Sequence, residues 1–251
     1  MPDAGRPDIS VVVPVYNELE NLGPLVSQLG AALEPLGRPW EALLVNDGST
    51  DGSTEEIDRL SAADPRVRGI HFARNCGQTA AFDAGFRRAR GRIVITMDAD
   101  LQNDPADIPK LLTRLDAPGG PDAVVGWRAT RQDSLIRKLS SRIGNSVRNS
   151  LSGDSIRDTG CSLKAFRAET LTDLKLWRGM HRFLPTLLRM DGWTVEELPV
   201  SHRPRTAGVS KYGVMNRAWR GLMDLLAVRW MRDRRLGWTI ARETPAEEPP
   251  R

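Results

Sequence analysis

Apolar residues recur along the chain in two registers. Short runs rich in β-branched residues (Ile9 to Val15, Ala42 to Asn46, Val67 to Ala73, Ile93 to Asp98 and Ala123 to Trp127) read as strands. Between them the apolar positions return at helical spacing. Leu22, Leu25, Val26, Leu29 and Leu33 mark one buried helix face. A second helix is expected to open at Asp104-Pro105, where Asp suits the cap and Pro the first turn. Ile108, Leu111, Leu112 and Leu115 form its stripe. The alternation predicts an α/β fold, a mostly parallel sheet flanked by helices.

After Trp127 the alternation stops. A polar segment rich in Arg and Ser runs to about Gly160, and a shorter mixed region ends in strand-like Val195 to Val200. From Val214 a helix is predicted, with Met215, Trp219, Leu222, Met223, Leu226 and Trp230 on one face and Arg217, Arg220 and Asp224 on the other. The final ETPAEEPPR reads as a disordered tail. The expected organisation is a tail over 1–8, a main domain over 9–212, an amphipathic helical segment over 213–240 and a tail over 241–251.

With 251 residues, 40% hydrophobic and 27% charged, the chain can bury a sizeable core. Its net charge of +4 is an average over unlike parts. From Arg203 to Arg242 ten basic residues face two acidic ones, a net +8; the other 26 basic and 30 acidic residues leave the remainder at −4. So mild an overall excess does not argue for a nucleic-acid partner. Cys76 and Cys161 are too few for a disulfide framework or a structural zinc site, and His71, His181 and His202 are scattered. A reduced, cytoplasmic setting is expected. No signal peptide is expected, and no run approaches the roughly 20 apolar residues of a membrane span. The nearest such run, Gly221 to Met231, is broken by Asp224 and Arg229.

In open α/β sheets ligands bind beyond the carboxyl ends of the strands, and three predicted strands end in polar clusters. The first ends in Pro14-Val15-Tyr16-Asn17-Glu18, the second in NDGSTDGS from Asn46, and the fourth in Asp98-Ala99-Asp100-Leu101-Gln102. In an extended stretch alternate residues share a face, so Asp98, Asp100 and Gln102 can converge on one hard cation. The same residues suit capping of the helix near Asp104. Asp47 can accept from the N–H groups of a nucleobase, or begin an Asx turn ahead of Asp51. Pro14 and Tyr16 can wall a planar base, with Glu18 accepting from a hydroxyl; a plain loop is the alternative. A Walker-B role for the acidic strand end is excluded because no GxxxxGK[ST] loop exists, and no GxGxxG follows the first strand.

Taken together, VVVPVYNE, VNDGSTDGS and DADLQNDP strongly resemble the family 2 glycosyltransferases of GT-A fold, over roughly Ile9 to Tyr212. The resemblance implies that Pro14, Tyr16, Glu18 and Asp47 hold the nucleotide. It implies too that Asp98 and Asp100, with Gln102, hold Mg2+ or Mn2+ on its diphosphate. GWRATRQDSLIRKLSSRIGN, DTGCSLKAFR and HRPRTAGVSKYG are similar to segments of the polyprenyl-phosphate glycosyltransferases. RNCGQTAAFDAGF also fits, and implies a loop near the active site or a plain Gly-led helix start.

An inverting transfer of sugar from a nucleoside-diphosphate sugar to a polyprenyl phosphate is the activity implied. A phosphate monoester has a second pKa of about 6, so the attacking oxygen is already ionised and no strong base is needed. What the site then needs is a cationic clamp. Arg128, Arg137 and Ser141 are the candidates for the acceptor phosphate, and Arg205, Ser210 and Lys211 for closing over the diphosphate. For the arginines a solvated helix surface is the alternative. Asp158 matches a carboxylate beside the sugar. It can orient a sugar hydroxyl or Arg128, serve as base toward a hydroxyl acceptor, or cap a turn before Gly160. Transfer to a hydroxyl, and a non-catalytic nucleotide-sugar-binding subunit, are the competing functions.

The resemblance departs after SKYG, where many bacterial relatives continue into membrane-spanning helices and none is expected here. The helix from Val214 is instead expected to lie peripherally at the cytoplasmic membrane surface, or to pack on the main domain or a membrane-protein partner.

Overall fold

The computed structural model describes residues 6–128, 156–204, 214–236 and 241–242, with side chains in the last helix described from residue 221 onward. Arg137, Ser141, Arg205, Ser210, Lys211 and the tail beyond residue 242 lie outside the described residues.

Among the described residues, seven strands form one sheet. They are β1 (Ile9–Val15), β2 (Trp40–Asn46), β3 (Val67–His71), β4 (Ile93–Thr96), β5 (Ala123–Arg128), β6 (Lys164–Arg167) and β7 (Val195–Val200), in the order β3-β2-β1-β4-β6-β5-β7. β3, β2, β1 and β4 run parallel, as do β5 and β7, and β6 lies antiparallel between β4 and β5. The three strands whose ends carry polar clusters are therefore neighbours. Six α-helices among the described residues accompany the sheet: α1 (Leu19–Leu33), α2 (Ser53–Ala63), α3 (Gln78–Arg88), α4 (Ile108–Leu115), α5 (Leu184–Met190) and α6 (Val214–Asp233).

Successive side chains on a strand point to opposite faces, and β1 divides its valines accordingly. Val11, Val13 and Val15 meet Leu22, Leu25 and Leu29 of α1, Ile57 of α2 and the Ile108–Leu115 stripe of α4. Val12, with Leu43 and Val45 of β2, meets Ala81 and Phe82 of α3 and Leu184 and Leu188 of α5. The expected helix stripes are thus the ones that pack. Gly85 sets the approach of α3: a Cβ there would lie 2.2 Å from Val12 Cγ1.

Three sequence expectations change, the first being that the third strand ends at His71 rather than Ala73. The fourth strand was expected to reach Asp98 but stops at Thr96, because Asp98 N–H leaves the ladder and donates to Ser162 Oγ at 3.2 Å. β6 was not expected: four residues, KAFR, show too little periodicity to read as a strand. At Asp104 the carboxylate accepts from Ala106 N–H at 3.0 Å and opens a short 3₁₀ turn, Pro105–Asp107, before α4 begins.

α6 is apolar on two sides. Leu225 and Val228 pack on Met180, Phe183 and Leu187, whereas the expected face, represented by Leu222, Met223, Leu226 and Trp230, remains exposed. No described helix is long and apolar enough to cross a membrane.

Candidate active site

The loops after β1 and β2 are stitched to one another. Asn17, in the left-handed region at φ 54°, donates its N–H to Ser49 Oγ, and its Oδ1 accepts from Thr50 N–H at 2.8 Å. Ser53 Oγ accepts from Glu18 N–H, and Asp51 accepts from Leu19 N–H. Asn46 closes the NDGS turn by accepting from Ser49 N–H at 2.9 Å. Gly48 is required there: at φ 69° a Cβ would come 2.6 Å from the Arg74 carbonyl carbon. Pro14 and Tyr16 stay partly exposed along this rim, and Glu18 Oε2 accepts from Asn21 Nδ2 at 2.6 Å.

Asp47 is buried and holds the start of α3. Its Oδ1 accepts from Cys76 N–H at 2.6 Å, and Gly77 N–H reaches Oδ2 at 2.9 Å. A carboxylate offers about four lone-pair sites, so capacity for a ligand N–H remains. The RNCGQ segment lies directly on this rim.

The expectation of an extended DADLQ is corrected by the structure. Beyond Thr96 the backbone bends, and Leu101 sits at φ 58°, a region a leucine rarely adopts. This bend turns Asp100 inward, where its Oδ1 accepts from Gln102 N–H at 3.2 Å. Gln102 is anchored through its backbone, its carbonyl accepting from Arg203 N–H at 2.9 Å. Ser162 braces the loop from below: it accepts from Asp98 N–H and donates to Asn103 Oδ1 at 2.6 Å. Leu101 and Asn17 are the two non-glycine residues at positive φ among those described, and both stand in these strand-end loops.

Burial first, and the charge of Asp100 second, push the Asp98 carboxyl up to about 6. Two carboxylates that resist sharing their charge are a suitable donor pair for a divalent cation. No group of three His, Cys, Asp or Glu among the described residues is placed to hold a metal. Asp98 and Asp100 supply carboxylate oxygens, the donor type that hard divalent ions take.

Arg128 and Asp158 form a largely buried, two-pronged ion pair: Nε to Oδ2 at 2.7 Å and a terminal nitrogen to Oδ1 at 2.8 Å. Gly160 N–H also donates to Oδ1. The pair stands close enough to the acidic loop that Arg128 and Asp98 feel each other's charge.

Several polar residues here had not been singled out. Lys164, buried on β6 opposite Thr96, donates through Nζ to the Cys161 carbonyl, and its charge opposes that of Asp98. Burial pulls Lys164 below its ordinary value and pushes the Cys161 thiol up. A lysine inside the apolar run CSLKAF was the available signal. Gln78, the first residue of α3, donates from Nε2 to Asp98 Oδ1 at 2.7 Å. The RNCGQ segment marked its neighbourhood as near the site, but nothing distinguished Gln78 within it.

The model described as glycosyl transferase family 2 matches residues 10–174. Dodecaprenyl-phosphate galacturonate synthase of Rhizobium johnstonii is 41% identical over 225 residues, covering 88% of this chain and 66% of that protein. Undecaprenyl-phosphate 4-deoxy-4-formamido-L-arabinose transferase of Salmonella paratyphi A is 42% identical over 208 residues, with 82% and 63% covered. The chain thus spans just under two thirds of the length of these relatives.

Among solved structures, glucosyl-3-phosphoglycerate synthase from Mycobacterium tuberculosis, in complex with phosphoglyceric acid, superposes with a TM-score of 0.65 at 19% identity, covering 91% of this chain and 80% of that one. A mannosyltransferase from Pyrobaculum calidifontis, in complex with GDP-Man and Mn2+, gives 0.62 at 21% identity, covering 96% and 68%. Both likenesses are of fold, the GT-A fold expected from the sequence.

Proposed function

The chain belongs to glycosyl transferase family 2, and we propose that it transfers a sugar from a nucleoside-diphosphate sugar to the phosphate of a polyprenol, inverting the anomeric carbon. The observation that carries this reading is the meeting of the Asp98–Asp100 pair with the Arg128–Asp158 ion pair at the carboxyl edge of one sheet. Relatives named for polyprenyl phosphates, at 41% and 42% identity, support the acceptor class.

The chemistry follows from charge. The acceptor phosphate is already ionised near neutrality, its second pKa being about 6, so no side chain has to remove a proton. Asp158 suits this: both its oxygens are engaged by Arg128, and it acts as an orienting partner rather than a base. Arg128 directs two of its N–H groups at Asp158 and has others for the acceptor phosphate. Arg137 and Ser141 would extend that cluster, and Arg205, Ser210 and Lys211 would close over the diphosphate. Asp98 and Asp100, with Gln102, are the residues that would hold Mg2+ or Mn2+, which when bound neutralises charge on the departing diphosphate. Pro14, Tyr16 and Glu18 line the nucleotide, with Asp47 beneath the base.

The exposed face of α6, with Leu222, Leu226 and Trp230 beside Arg229 and Arg232, suits a peripheral position at the cytoplasmic membrane surface. Each basic residue close to an anionic leaflet contributes about 1 kcal/mol.

Calorimetric titration with UDP and with GDP, each with and without Mn2+, tests the donor half. One nucleotide is expected to gain affinity with Mn2+, and Asp98→Asn to remove that gain. Equal affinity with and without the ion for both nucleotides would refute the assignment.

A further inference from the structure

We propose that the start of α3, Cys76–Thr79, is a positioning bridge that sets the Asp98 carboxylate relative to Asp47, acting through Gln78 and Thr79. The proposal rests on the reading of Asp98 as a metal-holding residue. Four successive residues reach three different parts of the fold. Cys76 and Gly77 donate their N–H groups to Asp47 at the end of β2. Gln78 donates from its side chain to Asp98 beyond the end of β4.

Thr79, buried, turns the other way. Its Oγ1 accepts from Gly179 N–H at 2.9 Å and lies 2.7 Å from His181 Nδ1. The hydroxyl accepts from Gly179 and keeps one proton and a second lone pair, so its bond to Nδ1 forms with either imidazole tautomer.

The 179–181 turn is itself pinned. Gly179 sits at φ 92°, and a Cβ there would lie 2.5 Å from Asp224 Oδ2 on α6. Met180, next in sequence, belongs to the cluster formed with Leu225 and Val228 of that helix. Gln78 is an exposed, flexible side chain, and by itself would hold no carboxylate in one place. Fixing the turn on which it stands from two sides restricts where its amide can point. The base side and the metal side of the nucleotide site are thereby tied through one helix start, with α6 as backing.

The test uses the full chain, with Mn2+ affinity in the presence of UDP or GDP read by Mn2+ electron paramagnetic resonance. Metal-independent nucleotide affinity and melting temperature are measured alongside. Gln78→Ala lies on the surface, and Thr79→Val removes the hydroxyl while keeping the shape. Each is expected to weaken Mn2+ binding about tenfold, as loss of an outer partner of a metal ligand does. Metal-independent nucleotide binding should be unchanged, Thr79→Ser should restore the Mn2+ affinity, and Thr79→Val should add nothing on top of Gln78→Ala. Wild-type Mn2+ affinity in both single variants, or fully additive losses in the double variant, overturns the bridge. Wild-type protein that binds nucleotide with no Mn2+ dependence overturns the metal assignment itself, and the bridge with it.

Discussion

His181 gives the fold a pH sensitivity of defined sign. Burial, reinforced by the charges of Arg182 and Lys164, lowers its pKa to about 3. The ordinary value, taken for the unfolded chain, is about 6.5. In the folded protein the imidazole therefore stays neutral, while the unfolded chain takes up a proton as pH falls below about 6.5. The stability this residue contributes is complete above about pH 6.5, declines through the window and levels off below about pH 3. At 1.36 kcal/mol per unit, the interval from about pH 6.5 to pH 5 costs about 2 kcal/mol. His181→Asn keeps a hydrogen-bonding group for the Thr79 hydroxyl near the position of Nδ1 but cannot titrate. Urea denaturation of both proteins between about pH 7 and pH 5 isolates the effect. The wild type should lose about 2 kcal/mol more than the variant across that range. Parallel curves would show that His181 is protonated in the folded protein, contradicting the burial argument.

Other substitutions probe the rest of the structure. Gly85→Ala drives a methyl into Val12 and should cost about 1–3 kcal/mol by denaturant melt, with Val12→Ala restoring much of it. Asp158→Ala strands the largely buried Arg128 guanidinium and should cost about 3–5 kcal/mol. Asp158→Asn should keep measurable transfer; near-complete loss with donor binding intact would instead indicate a hydroxyl acceptor that needs a base. Replacing Leu226 and Trp230 together by Ser should weaken sedimentation with anionic vesicles without lowering the melting temperature, since both side chains are exposed.

The parts of this molecule that were legible in its sequence are those whose signal is local. VVVPV and the stripes of α1 and α4 declare burial by spacing alone, because each repeats one face over several turns or residues. The rim residues Asp47, Asp98 and Asp100 were legible as strand ends followed by polar turns. Their geometry was not. The left-handed backbone of Leu101 and the inward turn of Asp100 depend on Ser162, some sixty positions away, bracing the loop. β6 is too short to carry a period and exists as a strand because Thr96 and Val125 lie on either side of it. The contact between Thr79 and His181 spans 102 positions, and no pattern near either residue foretells it. Lys164 shows the converse: its charge was visible, but only the packed sheet shows that it is buried against the acidic loop.

The central claim concerns what receives the sugar. Purified protein incubated with Mn2+ or Mg2+, a polyprenyl phosphate and a panel of UDP- and GDP-sugars should yield, with one donor, a lipid carrying sugar on its phosphate with the anomeric configuration inverted relative to the donor. No lipid-linked sugar from any donor, or sugar attached to a hydroxyl and none to the phosphate, would contradict the account.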